Sequence, residues 1–365
     1  MQSAPRIAYL LVTGRCNLDC AGCYATLEHW GRHTKRGELS LRQYEGIVAE
    51  LVALGVRIFD ISGGEPMLRP DLAEICGLIR AHEGTRIWLV SNGTLAPPET
   101  LARLAPLVER LAISLDAPDA ALHDRLRGKE GAFARSIAAL RGAARAGFAE
   151  RAVNFLLCRE NHRSLGAMLD LCGREGIERL AVLSYRDVSE NGVDPQAIPT
   201  LDALRAAWAD LADRLAGLAR PLHVDLVVPA FLRPEAHAFW SALPRALRAR
   251  ITVLHPHLRG QSAFRDTIVI KPFGRITGDT AMVNTDLFEI GSALDDVGAI
   301  WADESLAWRR RLAAREEHLR ACAPCRDCAR WNACRGGCPA AAVHQWGDLL
   351  RHDRSCDQFR AAGVF

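Results

Sequence analysis

Three cysteines on one short stretch, Cys16, Cys20 and Cys23, and six more at Cys322, Cys325, Cys328, Cys334, Cys338 and Cys356 are the residues of this 365-residue chain best suited to chemistry. Three thiolates on one loop hold a metal or an iron–sulfur cluster and leave one coordination position open. An open position accepts a cofactor or substrate, whereas a structural zinc site is closed by four ligands. The alternative is that the three thiols join a distant fourth residue around zinc. The other three cysteines, Cys76, Cys158 and Cys172, stand singly in apolar surroundings and read as buried small hydrophobes.

Composition bounds where this chemistry takes place. The charge balance, 46 Lys plus Arg against 43 Asp plus Glu, gives no nucleic-acid footprint. No apolar run approaches the ~18 residues of a membrane span. No basic segment precedes a long apolar one at the start, so the chain reads as cytoplasmic. In a reducing compartment, 12 cysteines point to metal ligation rather than to disulfides.

The elements that must position the first cluster follow from periodicity. Strand-like runs at 7–12, 56–62, 86–91, 110–116, 152–158 and 179–185 alternate with amphipathic segments. Ser40 and Gln43 form a capping box for a helix that stops at Gly55, and helices are predicted over 70–82, 98–107, 132–146 and 164–175. Six βα units in series predict an α/β fold with a parallel sheet, doubly wound or curved into a barrel, with ligands at the C-terminal strand ends. Cys16, Cys20 and Cys23 lie at such an end. Beyond 185 the alternation breaks into a long helix at 201–218, a strand at 224–228, a short helix near 235–247, a hairpin around Phe273-Gly274 and a helix at 296–315. The 322–356 stretch has little periodicity and is expected to need metal to hold it.

Four further motifs fall on successive strand ends. Gly63-Gly64-Glu65-Pro66 follows the second strand, Ser91-Asn92-Gly93-Thr94 the third, Ser114-Leu115-Asp116 the fourth, and Asn161 the fifth. With Cys-x3-Cys-x2-Cys after the first strand, this pattern resembles the radical S-adenosylmethionine (SAM) enzymes. The resemblance implies a partial (β/α)6 TIM-type barrel, a [4Fe–4S] cluster on Cys16, Cys20 and Cys23, and SAM as the ligand of its fourth iron. It implies that Gly63, Gly64, Glu65 and Pro66 hold the SAM amino group, with Ser91, Asn92, Ser114 and Asp116 near the ribose and amino acid. Gly22 stands where members often carry an aromatic residue, and Tyr24 is expected to frame the adenine instead. One-electron cleavage of SAM would give a 5′-deoxyadenosyl radical able to abstract hydrogen from an unactivated carbon.

The second cluster, Cys325-x2-Cys328-x5-Cys334-x3-Cys338 and then Cys356, with WNACRGGCPAA at 331–341, is similar to the SPASM auxiliary-cluster domain. The resemblance assigns Cys325, Cys328, Cys334 and Cys356 to one auxiliary [4Fe–4S] cluster. In that family Cys338 would reach a second, proximal cluster. Here no cysteine lies between Cys172 and Cys322, and the hairpin stretch offers Thr277, Asp279 and Thr280 instead. Cys322 and Cys338 are therefore spare ligands, hydrogen-atom donors or buried thiols. A zinc ribbon is the alternative for the whole segment. Arg326, Arg330 and Arg335 either compensate the charge of a cluster or form a solvated face. The expected organisation is a partial barrel at 1–190, a helical bridge at 191–262 and a SPASM-like domain at 263–365.

Full cysteine ligation of the auxiliary cluster points to electron transfer. The expected activity is modification of a ribosomally made peptide by cross-linking, oxidation or epimerisation in natural-product maturation. The alternatives are a dehydrogenase or epimerase of a small molecule such as an aminocyclitol, a haem-pathway enzyme and, outside enzymes, a zinc-binding module. Expected partners are a peptide or small-molecule substrate and an electron donor such as flavodoxin or ferredoxin. With only 15 residues before Cys16, a separate peptide-recognition protein is also expected. Tyr185, Cys158 and Asp187 are candidate acid–base or donor groups.

Overall fold

The computed structural model describes residues 4–23, 37–185, 198–254 and 263–364. Its strands are β1 (Ile7–Leu11), β2 (Ile58–Ser62), β3 (Arg86–Ser91), β4 (Arg110–Ser114), β5 (Glu150–Leu157), β6 (Arg179–Ser184), β7 (His223–Val227), β8 (Ile251–Leu254), β9 (Thr267–Ile270), β10 (Arg275–Thr277) and β11 (Gly291–Ser292). The helices that matter below are α1 (Leu41–Ala53), α2 (Leu72–Arg80), α3 (Pro98–Leu104), α4 (Ala120–Arg127), α5 (Ala132–Ala146), α6 (Leu165–Glu175), α7 (Leu201–Gly217), α8 (Arg233–Ala242), α9 (Arg245–Arg248) and α10 (Val297–Ala321). α11 (Trp331–Cys334), α12 (Pro339–Trp346) and α13 (Asp357–Ala361) follow in the cysteine-rich stretch. Among the described residues no helix is long and apolar enough to cross a membrane.

All strands share one sheet in the order β11-β10-β9-β1-β2-β3-β4-β5-β6-β7-β8. β1 to β8 pair in parallel, as right-handed βα crossovers require. Alternation sets the two faces. Phe59, Ile61, Leu111, Ile113, Val153 and Phe155 are buried on the face covered by helices, where α1 adds Tyr44, Ile47, Val48 and Leu51. The predicted capping box is present, with Gln43 N–H donating to Ser40 Oγ and Ser40 N–H to Gln43 Oε1.

Three features differ from the expectation. The stretch at 191–262 holds, besides the expected strand at 224–228 (β7), a second one, β8, and both continue the parallel sheet. The hairpin β9–β10 does not stand apart either, because β9 pairs in parallel with the free edge of β1. An edge strand carries unpaired backbone groups, and β9 satisfies those of β1, with Arg6 and Ile7 N–H both donating to the Asp266 carbonyl. The sheet thus runs across both expected boundaries, at 190 and at 262. Helix α4 is the third. Its only buried residue is His123, so it has no apolar stripe for periodicity to find.

The inner face of the sheet is polar at its N-terminal end. Arg110 Nε donates to Glu150, Glu150 also accepts from Arg179, and Arg179 NH1 reaches Asp225 Oδ2 at 2.8 Å. His223 Nε2 lies 3.4 Å from the other Asp225 oxygen. This ladder ties β4, β5, β6 and β7 together where a closed barrel would be packed with apolar layers. Glu150 is its central anion, and its removal leaves two partly buried guanidinium groups short of a partner. Glu150→Ala is expected to cost about 2–3 kcal/mol in urea unfolding. Glu74→Ala, which breaks the exposed pair with Arg103, should stay within about 0.5 kcal/mol.

Candidate functional site

The loop after β1 is clamped against the turn after β2. Gly64 N–H donates to Thr13 O and Glu65 N–H to Arg15 O, both at 2.8 Å. A Cβ on Gly63 would stand 2.5 Å from Thr13 O, and one on Gly64 2.0 Å from Arg15 O. Only glycine permits backbones this close, and Gly63 also has φ +142°. Arg69, just beyond the turn, braces the base: NH1 donates to the carbonyls of Val12 and Leu39, while its other nitrogens hold Asp71 in a bidentate pair.

Glu65 is fully buried and accepts from Ser91 Oγ at 2.8 Å, Asn92 N–H at 2.7 Å and Met67 N–H at 3.0 Å. Burial pushes its carboxyl up and these donors pull it down. Asn92 Nδ2 in turn donates to Asn17 Oδ1, and Asn17 Nδ2 donates to Thr94 Oγ1. The 91–94 turn thereby grips the cysteine loop between Cys16 and Cys20. Ser114 ends β4 on the same face as Arg110.

Asp116 is a hub. Its carboxylate accepts from Leu156 N–H and pairs with Arg127 Nε at 2.8 Å, and its N–H donates to His123 Nδ1. Arg127 NH1 reaches Cys20 Sγ at 3.7 Å. Gly128, which caps α4 with φ +64°, brings that helix end against the loop, where a Cβ would stand 2.2 Å from Asp19 O. Ala21 N–H donates to Leu126 O and Lys129 Nζ to Asn17 O. Asn161 donates to the carbonyls of Asp116 and Leu156 and accepts from Cys158 N–H, so its amide staples β4 to β5. At Gly22 a Cβ would meet Leu156 Cδ2 at 2.9 Å and the Tyr185 ring at 3.2 Å. The Tyr185 ring lies where an aromatic residue at 22 would need room. Tyr24 and Asp187 lie outside the described residues.

The second cluster forms its own cavity. Cys325, Cys328, Cys334 and Cys356 line one pocket with Phe231, Trp331 and Arg360. Burial pushes the thiols of Cys325, Cys334 and Cys356 up, and neighbouring thiols add to it: Cys328 acts on Cys325, Cys325 and Cys328 on Cys334, Cys334 and Cys325 on Cys356. Four thiols lining one pocket fit a cation that binds them as thiolates. Cys338 is buried but lines a different cavity, with Ser184, Tyr185 and Asp353 at the ends of β6 and β7. Cys322 is half-buried beside His318. Arg326 and Arg335 pair at the surface with Asp327 and Glu316, whereas Arg330 is held by buried Glu235. The lone Cys76 and Cys172 are buried, and burial pushes both thiols up to about 12.

Among the described residues, neither the three thiols of the first site nor any three of the second lie within 4.8 Å of one another. His352, Cys356 and Asp357 do converge to that distance, with His352 Nε2 2.9 Å from Asp357 Oδ1.

Comparison with known proteins accords with this geometry. A model of the radical SAM superfamily matches residues 10–172. The mycofactocin maturase MftC of Mycobacterium tuberculosis is 30% identical over 354 residues, 95% of this chain and 81% of that protein. The chain belongs to the radical SAM superfamily. The AdoMet-dependent heme synthase of Methanosarcina barkeri is 37% identical over 141 residues, 38% of this chain and 39% of that protein. Streptococcus suis SuiB bound to the precursor peptide SuiA shares the fold with TM-score 0.73 at 18% identity, over 96% of this chain and 75% of that one. The peptide-bound anSMEcpe does so at 0.70 and 16% identity, over 98% and 95%.

The cofactors of a radical SAM enzyme are a [4Fe–4S] cluster and SAM. The residues present fit them: three thiols on one loop, a glycine cradle beside it, and a guanidinium within reach of Cys20. Arg69 and Arg127 carry no sequence signal, since an arginine near helix ends is ordinary. The motif residues Glu65, Asn92 and Asp116 turn their side chains to the loop and its supports.

Two outcomes follow from this site. Gly64→Ala must displace the backbone at Arg15, so reconstituted iron should fall from about eight to about four per chain, with SAM binding lost. Gly46→Ala, in open space on α1, should change neither. The second concerns His123. Burial, then the charge of Arg127, holds its imidazole down at about 4, neutral in the fold. The unfolded chain takes up that proton nearer 6.5, so stability is whole above that pH and is lost as pH falls towards 4. The loss amounts to up to roughly 3 kcal/mol. Urea unfolding of wild type and His123→Gln between pH 7 and 4 should show a steeper decline for wild type.

Proposed function

We propose that this protein is a peptide-modifying radical SAM enzyme acting in natural-product maturation. What supports the peptide reading is the extent of its similarity to a maturase, 95% of the chain, so that the barrel and the cysteine-rich stretch are both included. The heme synthase match covers only 38%. A tetrapyrrole or other small-molecule substrate is therefore the second reading. Cytoplasmic location, a flavodoxin-like or ferredoxin-like electron donor and a separate peptide-recognition protein belong to the same proposal.

In this reading Cys16, Cys20 and Cys23 hold the SAM-binding cluster, and Cys325, Cys328, Cys334 and Cys356 hold one auxiliary cluster. When bound, the first cluster with SAM supplies one-electron cleavage of a carbon–sulfur bond and, through it, hydrogen abstraction from an unactivated carbon. The chain's own part is positional. The Gly63–Gly64 turn would present backbone to the SAM amino group, with Ser91, Asn92, Ser114 and Asp116 at neighbouring strand ends. Arg127, held by Asp116, sets a positive charge beside Cys20. The Tyr185 ring packs against the cysteine loop at Gly22, while Cys23 stays exposed at the loop's end.

The test is anaerobic reconstitution with iron and sulfide, then incubation with dithionite and SAM. Wild type should release 5′-deoxyadenosine and Cys16→Ala should not; identical behaviour of the two sinks the proposal. Cys334→Ala should keep SAM cleavage but hold about four irons instead of about eight. A precursor peptide encoded beside the gene should lose hydrogen mass on cross-linking or oxidation, or take up deuterium from D2O on epimerisation, when incubated with the enzyme. Turnover of a tetrapyrrole instead would favour the second reading.

A further inference from the structure

Arg315 sits on the buried stripe of α10 formed by Val297, Trp301, Trp308, Leu312 and Leu319, and is only 2% exposed. Its hydrogen bonds go to neutral carbonyls. Nε donates to Leu349 O at 2.8 Å, NH2 to Gly336 O and Arg351 O at 2.9 Å, and NH1 reaches Gly337 O at 3.5 Å. Those carbonyls belong to the two segments that carry Cys334 and lead to Cys356. Arg335, Gly336 and Gly337 are all left-handed, at φ 50°, 83° and 72°. That run is sterically unfavourable for the non-glycine Arg335 and turns the loop towards the guanidinium. The glycines are needed for the approach: a Cβ at 336 would stand 2.3 Å from Leu319 Cδ1, and one at 337 would stand 2.3 Å from Asp353 Cβ. Burial disfavours the charge on Arg315, and the acidic groups placed to offset this are Cys338, Asp353, Cys334 and Cys325.

A buried cation with carbonyl partners needs a countercharge. Buried Asp353 supplies part of it, and four thiolates around an iron–sulfur cluster would supply more. We infer that Arg315 is a positioning residue of the auxiliary cluster, fixing the Cys334–Cys338 loop through its carbonyl contacts and raising the cluster's potential with its charge. This rests on the auxiliary-site reading of Cys325, Cys328, Cys334 and Cys356. A cation beside a cluster favours the reduced form, which is one charge more negative.

The experiment is an EPR-monitored redox titration of anaerobically reconstituted full-length enzyme, with iron counted per chain. Arg315→Gln should retain SAM binding at the first site. At a fixed potential its ratio of reduced to oxidised auxiliary cluster should fall about tenfold, equivalent to ~59 mV for one electron. Selective loss of the auxiliary irons with SAM binding retained would equally support the inference. Arg315→Lys, which keeps the charge but not the fork, should hold a potential nearer wild type and release auxiliary iron faster on chelation. Arg326→Gln, exposed and paired with Asp327, is the control and should match wild type. An Arg315→Gln protein with wild-type iron and potential overturns the inference, and so does one that loses iron and SAM binding together, which marks a general fold residue. Failure of the underlying reading looks different: wild type itself would hold only about four irons, unchanged in Cys356→Ala.

Discussion

The contact on which the rest of the site depends is between two stretches of backbone, the loop after β1 and the turn after β2. Gly64 and Glu65 donate to the carbonyls of Thr13 and Arg15, and the space at Gly63 and Gly64 admits no side chain. Because the contact is backbone to backbone, its distance is set by covalent geometry rather than by a flexible side chain. Everything else about the loop is arranged around it. Arg69 pins the end of β1, Asn92 and Thr94 hold Asn17, and the C-terminus of α4 closes over Asp19. Cys16, Cys20 and Cys23 therefore stand on a loop held from several strand ends at once.

The two cysteine sites use buried arginine differently. At the first, Arg127 is shared between the Asp116 carboxylate and Cys20, so the cation arrives already paired. At the second, Arg315 donates only to carbonyls, with Asp353 and the thiols as the acidic groups near it. The difference follows from where each side chain originates. Arg127 leaves a helix end that faces the strand ends, where carboxylates occur in loops. Arg315 leaves the middle of an apolar helix face, where backbone carbonyls of a tight loop are the available acceptors. The surface arginines that interleave with the cysteines, Arg326 and Arg335, are each paired with a local carboxylate and stay in solvent.

The architecture also shows how the C-terminal stretch is joined to the barrel. β9 adds to the open edge of β1, the strand that leads into the first cysteine loop. Phe231, just after β7, lines both the four-cysteine pocket and the cavity at the ends of β6 and β7, and packs against Phe359 at 5.3 Å between ring centroids. The cysteine-rich segment is thus built onto the barrel mouth through a shared sheet and a shared aromatic wall. That arrangement keeps a cluster site near the strand ends where the substrate is expected.

What the sequence alone determined is what short-range pattern can carry. The alternation of apolar runs located β1 to β6, the Ser40 capping box located α1, and fixed spacings placed the cysteines and the Gly63–Pro66 turn on strand ends. The single buried cysteines were legible from their apolar neighbours. Tertiary structure alone decided the rest. α4 has no apolar stripe, β8 is too short to show one, and nothing local tells β9 to pair with β1 across the whole length of the barrel. Arg69, Arg127 and Arg315 are unremarkable in sequence because an arginine's role depends on which carbonyls, carboxylates and thiols the fold brings around it. For Arg315 one sign existed, a charged residue in register with Trp308, Leu312 and Leu319. Its meaning emerged only once the carbonyls of Gly336, Leu349 and Arg351 were seen converging on it, since burial of a charge is a property of the packed chain and not of its order.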